Sequence, residues 1–339
     1  MFRTKNLALS WQAMVMHAVA ANALETYDSI TIREDLSDAE NMISPVETPF
    51  MSRIAGRTTA SNKYHEWPIV ELGSVDSSNR VPEGEDAPSI DAPVLALRRG
   101  NYTQISDKVV KVTDTSQRVD GAAKVEKLSK QIAYKLKELK RDKETMLLAN
   151  VAADPGAATG ATTRKAAGLS AFSLTNDQLG TSGTSPTLSG TTTGYPNAAA
   201  VNGTLRNFDE TMLGNAIQAV WTEGGDPKYV MCSPTNKKTI SDFTGNATKY
   251  KDANDKKITR SIDVYESDFG QVQVIPNRFN PARDVFILDP EFIKIAELQP
   301  TRQLELARTG HTENRLIQSE YTLEVGNEKA MAVVRDTNG

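Results

Sequence analysis

Cysteine, histidine and aromatic side chains are scarce in this chain of 339 residues. The single cysteine, Cys232, excludes an internal disulfide and with it the framework of a small secreted scaffold. No histidine or basic residue stands close to Cys232 in sequence to lower its pKa, so it reads as a buried, inert thiol. The three histidines, His17, His65 and His311, lie far apart. None has a carboxylate, a cysteine or a second histidine at the spacing that one helix or strand would need to build a metal site or a catalytic pair. The glycines of residues 156–160 lack the preceding strand and the following Gly-Lys-Ser/Thr of a phosphate loop, and no nucleophile elbow or dinucleotide fingerprint occurs. The sequence therefore assigns no catalytic residue, no metal ligand and no cofactor. With 6% aromatic residues, 24% charged residues and a formal net charge of -4, the chain lacks the basic excess of a dedicated nucleic-acid binder. It also lacks an apolar run long enough to span a bilayer. Residues 7–20 are too short and too polar for that. Arg3 and Lys5 before them and Ala21-Asn22-Ala23 after them sketch a secretory signal, against which stand Gln12, His17 and possible translation starts at Met14 or Met16. Because the single cysteine gives no evidence for an oxidising compartment, the glycosylation sequons at Asn101, Asn202 and Asn246 carry little weight.

What the chain does have is one long amphipathic segment, residues 121–150. Val125, Leu128, Ile132, Leu136, Leu139, Met146 and Leu147 recur at helical spacing, and no proline or glycine interrupts after Gly121. The spacing predicts a rod about 45 Å long, from 1.5 Å per residue. Its apolar face should pack on C-terminal strands. Its other face carries Lys124, Lys127, Lys130, Lys135, Lys137, Lys140, Arg141 and Lys143 against Glu126, Glu138, Asp142 and Glu144. Such a face is either solvated or turned toward a polyanion or an acidic neighbouring subunit.

Around the rod, the remaining segments read as limbs and one lobe. Pro45 and Pro49 enforce an extended path and Asp35, Ser37 and Asp38 offer helix caps, so residues 24–56 read as an arm with one short helix at most, expected to add little core of its own. Residues 62–72 and 92–105 are rich in β-branched and aromatic side chains and flank a polar, turn-forming stretch, which predicts a two-stranded ribbon. An isolated ribbon is marginal in water and exposes unpaired edges. The acidic tip (Glu83, Glu85, Asp86) with Arg80, Arg98 and Arg99 suggests a limb that docks on a neighbour, and Trp67 is counted with that contact; the plainer reading is a hairpin on its own domain. Asp154-Pro155-Gly156 is expected to stop the rod, and residues 181–202 read as a surface loop. A small α/β lobe follows. It has a helix capped by Asn207, with Phe208, Met212, Leu213, Ala216, Ile217, Val220 and Trp221 on its apolar side, and strands at 229–232, 271–275 and 285–288. The polar loop 245–257 is either solvated or a phosphate site. At the end, 321–325 and 329–335 are expected to pair as a hairpin around Gly326-Asn327.

Several strings resemble a known family: TYDSITIREDLSDAENMISPVETPFMSRIAG, HEW at 65–67, GNYTQI at 100–105, KELKRDKE at 137–144, AGL at 167–169 and TGHTENRLIQSEYTLEVGNEKA at 309–330. Together, in order over about residues 26–335, they resemble the phage major head proteins grouped around the Su10-type capsid protein. The resemblance implies an α+β chain of the Hong Kong 97-type. Residues 1–61 would form an N-terminal arm, 62–105 an E-loop, 106–160 a P-domain with a spine helix, 161–290 an A-domain, and 291–339 the returning P-domain strands. It implies a structural role without enzymatic activity: self-assembly as hexamers and pentamers into an icosahedral shell around double-stranded DNA, in the host cytoplasm. Portal, scaffolding or decoration proteins would be partners, and no membrane is implied. The E-loop residues Trp67, Arg80, Glu83, Glu85, Asp86, Arg98 and Arg99 would then contact a neighbouring subunit. Lys130, Lys137 and Arg141 would face the DNA without binding it tightly. A secreted or surface-layer adhesin is the alternative raised by the signal-like start and the Thr/Gly-rich loop. A hydrolase using loop 245–257 has the least support.

Overall fold

The computed structural model describes residues 44–84, 93–119, 127–157, 162–190, 193–243 and 263–338. A π-helical turn, Phe50–Ile54, leads into strand β1 (Gly56–Thr59), followed by β2 (Tyr64–Ile69), β3 (Leu97–Tyr102), β4 (Gln104–Thr113), a short helix α1 (Asp114–Arg118) and the long helix α2 (Leu128–Leu148). Four short strands come next: β5 (Asp177–Gln178), β6 (Thr187–Leu188), β7 (Thr193–Gly194) and β8 (Pro196–Ala198). The lobe that follows contains α3 (Glu210–Thr222), β9 (Tyr229–Cys232), α4 (Pro234–Asp242), β10 (Val264–Ser267), β11 (Gly270–Pro276) and β12 (Val285–Leu288). The long strands β13 (Ile293–Glu305) and β14 (Thr312–Val325) and the short β15 (Met331–Val334) complete the chain. Among the described residues the strands form sheets ordered β1-β13-β14-β4, β10-β11-β9-β12-β15-β5, β2-β3-β7 and β6-β8.

The lobe's sheet is mixed, and its central strands are buried on both faces. Val230, Cys232, Val285, Ile287, Ala332 and Val334 point to one side, where α3 contributes Leu213, Ala216, Ile217 and Val220. Met231, Phe286, Leu288, Met331 and Val333 point to the other. There they meet Phe50, Ile54, Trp67, Leu147, Leu148, Phe172, Leu323 and Val325, so one core joins the lobe to the arm, the ribbon, the helix and the long strands. Two-sided burial is why Val285–Leu288 and Met331–Val334 read as continuous apolar runs without alternation.

Several expectations are revised. The C-terminal hairpin does not form: β15 pairs with β12 and β5 inside the lobe's sheet. An all-apolar strand needs a central position, and β14 is already paired with β13, while Asn101 Nδ2 meets Leu323 O. The arm adds core after all, since Phe50, Met51 and Ile54 are buried and β1 runs parallel to β13. Within the described residues the helix spans 21 residues, roughly 31 Å at 1.5 Å per residue, and stops at Leu148, before Asp154-Pro155-Gly156. Val125 and the rest of 121–126 lie outside the described residues, as do loop 245–257 and residues 1–43. Helix α3 is capped by Asp209, whose Oδ1 accepts from Met212 N at 2.8 Å, and not by Asn207. Residues 181–202 are no free loop, because β7 adds to β3 as a third strand of the ribbon sheet.

Candidate assembly surface: the ribbon limb and the long helix

The ribbon has a fastened base and a bare limb. At the base, β2 and β3 pair from Tyr64↔Tyr102 to Ile69↔Leu97. Tyr64, Tyr102 and Tyr195 form an aromatic cluster with ring centroids 4.8, 5.1 and 6.1 Å apart. Gly100 is required under it, because a β-carbon there would sit 2.6 Å from the Tyr64 ring. Burial pushes the Tyr64 hydroxyl up to about 12, so it stays a neutral packing group. Two carboxylates, half-buried Glu324 and buried Glu320, tie the base to β14. His65 Nε2 lies 3.0 Å from Glu324 Oε2, and that bond holds the Glu324 carboxyl below the usual range. Glu320 takes a 2.6 Å bond from Thr103 Oγ1 and pairs with Arg164. The sequon residue Asn101 is fully buried, bonded to Ala167 and to Leu323 O, and unavailable to a glycan.

Beyond Ile69 the limb leaves its own domain. Residues 70–84 and 93–96 are exposed throughout, including Leu72 at 87% and Val75 at 96%. Lys329 ties the neck, its Nζ lying 3.3 Å from Glu71 and 3.2 Å from Glu223 at the end of α3. Arg80 and Glu83 are exposed on the limb, Arg98 is exposed with Nη1 3.9 Å from Glu66, and Arg99 is half-buried. Glu85 and Asp86 lie outside the described residues. Trp67 is a correction. At 6% exposure it packs against Phe172 in its own chain's core, with ring centroids 6.2 Å apart, and offers almost no surface to a neighbour.

On α2 the expected basic face is split. Leu139 is buried with Val110, Val112 and Ile317, with Leu128 and Ile132 half-buried beside them, so the helix packs on β4 as well as on β14. Leu136, expected in that stripe, is 42% exposed. Lys137 is exposed, its Nζ 6.0 Å from the Tyr134 ring; Lys130 is half-buried; Arg141 is half-buried over the Phe279 ring. Lys143 and Glu144, read from the sequence as solvated, are buried. Lys143 Nζ donates to Ser319 Oγ at 2.6 Å and Thr301 Oγ1 at 3.0 Å, and burial lowers its pKa. Glu144 accepts from Phe50 N at 2.8 Å, Met51 N at 3.0 Å and Asn277 Nδ2 at 2.7 Å, so one carboxylate joins the arm, the helix and the lobe. Burial raises its pKa against the pull of those bonds. No sequence signal separates this pair from the solvated Lys/Glu positions around it.

Cys232 is fully buried, and burial pushes its thiol up to about 12, far from a thiolate nucleophile. Among the described residues no three His, Cys, Asp or Glu side chains gather as a metal site, and no helix is long and apolar enough to cross a membrane.

Comparison with known proteins places these limbs in context. A model of the family described as SU10 major capsid protein matches residues 18–338. The major capsid protein of Escherichia phage Phieco32 is 25% identical over 337 residues, covering 91% of this chain and 95% of the relative. In the capsid asymmetric unit of cyanophage A-1(L), a subunit with 12% identity superposes with a TM-score of 0.65, covering 93% of this chain and 99% of that one. A chain of Mycobacterium phage Bobi, also 12% identical, gives 0.58 over 94% and 99%.

Proposed function

Because this chain belongs to the SU10 major capsid protein family and is a phage major capsid protein with the Hong Kong 97-type fold, we propose that its bare ribbon limb is the contact by which one subunit grips the next. Self-assembly into the virion shell is the role of such a subunit, and neither the family nor the relatives support a surface-layer adhesin. The observation that carries the proposal is the limb itself: Val70, Leu72, Val75, Val81, Val94 and Leu95 are all exposed on the segments that run beyond the last paired residues of β2 and β3, Ile69 and Leu97. A soluble monomer rarely leaves so much apolar surface open. In a closed symmetric assembly every copy covers its neighbour's limb.

Hexamers and pentamers forming an icosahedral head in the host cytoplasm are the assembly that this reading implies. Portal, scaffolding or decoration proteins are its expected partners. Exposed Arg80 and Glu83, with Glu85 and Asp86 beyond the described residues, supply the polar part of the contact; Arg98 and Arg99 flank its root. Lys130, Lys137 and Arg141 restrain packaged double-stranded DNA without sequence preference, in keeping with a subunit of net charge -4. Neutralising those three together should leave empty shells intact and change genome retention as salt is varied. Loss of shells in the triple variant would assign the charges to a subunit contact instead. Electron microscopy of the purified chain tests the main reading: hollow shells or capsomers support it, and a dispersed monomer at every concentration contradicts it.

A further inference from the structure

Lys143 is a buried lysine bonded to hydroxyls and to no carboxylate. At 4% exposure its Nζ donates to Ser319 Oγ at 2.6 Å and to Thr301 Oγ1 at 3.0 Å, and it lies 4.9 Å from the centre of the Tyr321 ring. Burying an ammonium without a counter-ion is costly, because hydroxyls and a ring face replace only part of its hydration. Burial accordingly lowers the Lys143 pKa, with Glu297 pulling it up and Arg57 pressing it further down. Beside this side chain lies an open cavity of about 300 Å³ between α2, β1 and β13. Arg57, Lys140, Lys143 and Thr301 line it with one acid, Glu297, and Met51, Leu136 and Leu139 supply its apolar wall.

The lining specifies the charge and the hydrogen bonding of an occupant. Three cations against one acid leave an excess of two positive charges. Arg57 gives Nη1 to Glu297 at 3.1 Å, which uses a fraction of the donors on a guanidinium. Lys140 is exposed, and the carboxylate its charge acts on, Glu144, already takes three hydrogen bonds. Thr301 accepts from Lys143 and can donate its own O–H. A divalent cation is repelled here, a neutral ligand leaves Lys143 without a counter-ion, and a carboxylate offsets half of the excess. A phosphate group, free or as a monoester, offsets nearly all of it: it carries about two negative charges near pH 7 and presents several strong acceptor oxygens.

We infer that this cavity binds a phosphate group, with Arg57, Lys140 and Lys143 as its counter-charges and Thr301 donating to one of its oxygens. The apolar wall of Leu136 and Leu139 then meets whatever carries the phosphate. This goes beyond the ribbon contact and does not rest on it. It also differs from the diffuse restraint of DNA assigned to Lys130, Lys137 and Arg141, because a bounded cavity with a buried ammonium takes one group at a stated place.

Isothermal titration calorimetry of the full-length unassembled subunit with inorganic phosphate, near pH 7, should give saturable binding at one site per chain. Lys140→Met, at an exposed position, should weaken it at least about tenfold, the worth of one charge-assisted hydrogen bond. Lys143→Met keeps the length of the buried side chain and should remove measurable binding. Thr301→Val, which deletes a hydroxyl and no charge, should weaken binding by a smaller factor. Lys140 and Thr301 are both exposed, so their variants keep the test open if Lys143→Met folds poorly. A DNA duplex lacking terminal phosphates separates the sources. Displacement of phosphate by the duplex gives the site to a strand's backbone, and indifference to the duplex gives it to free phosphate or a phosphomonoester; either supports the phosphate site. Absence of saturable binding, or binding that the Lys140 and Lys143 variants leave unchanged, would overturn it. So would equal displacement by chloride at matched ionic strength, which would reduce the cavity to general charge screening.

Discussion

Glu144 shows how much of this subunit hangs on single buried polar groups. Its carboxylate satisfies two backbone N–H groups of the arm and the Asn277 amide of the lobe, so Glu144→Ala leaves the Phe50 and Met51 N–H groups without an acceptor and the Asn277 amide with only Met231 Sδ. The expected cost is about 3 kcal/mol or more, measured as the loss of unfolding free energy in urea. A second buried group near the C-terminus sets a pH dependence. Arg335, fully buried, pairs with Asp177 and lies 3.7 Å from Asp284. Burial pushes the Asp177 carboxyl up from 3.8 to about 6, with Arg335 pulling it back. A raised carboxyl contributes stability below its unfolded value and loses it as pH rises through the folded one, so this contribution should fade between about pH 4 and 6. Glu324 acts in the opposite sense: its lowered carboxyl contributes above about 4.5 and is lost only in stronger acid. Asp177→Asn should therefore flatten the fall in urea midpoint between pH 4 and 6, and an unchanged slope would locate that dependence elsewhere.

At the scale of elements, α2 separates what the sequence made legible from what it hid. Its existence and its contact with the C-terminal strands follow from the three-four spacing of Leu128, Ile132 and Leu139. The spacing could not say that Leu136 stays open, nor that Lys143 and Glu144 turn inward, because those outcomes depend on where Ser319, Thr301 and the arm's backbone arrive. Leu139→Ala should cost about 2–5 kcal/mol, whereas Leu136→Ala, at a 42% exposed position, should cost well under about 1 kcal/mol; chemical denaturation of both variants measures the contrast. Ile132→Asp should cost about 3 kcal/mol or less, since Ile132 is only half-buried and its charge can reach water. The ribbon was legible from its β-branched and aromatic runs, but its third strand was not: Thr193–Gly194 has no strand pattern and is recruited by Tyr195, which packs on Tyr64 and Tyr102. The C-terminal hairpin misled for a related reason. Gly-Asn between two β-prone runs is a sound local turn signal, and the all-apolar Met331–Val334 satisfied it less well than the centre of a buried sheet.

For the whole molecule, the central claim is that the limb serves the assembly and not the subunit. The anchoring residues Trp67 and Ile69 are buried in the subunit's own core, whereas Leu72, Val75, Val81, Val94 and Leu95 are exposed, so on this claim a cut beyond residue 75 should spare the subunit's core and weaken assembly. Reversing Glu83, Glu85 and Asp86 to Lys should weaken assembly more mildly, with partial relief by salt if the tip contact is electrostatic; particle yield across a salt series reads this out. The most direct measurement replaces residues 76–90 with a short Gly-Ser link and compares both chains by analytical ultracentrifugation and thermal unfolding. The full chain should sediment as megadalton particles, and the shortened one as monomers or isolated capsomers at nearly the same melting temperature. Closed shells from the shortened chain, or a large drop in its melting temperature, would contradict the account.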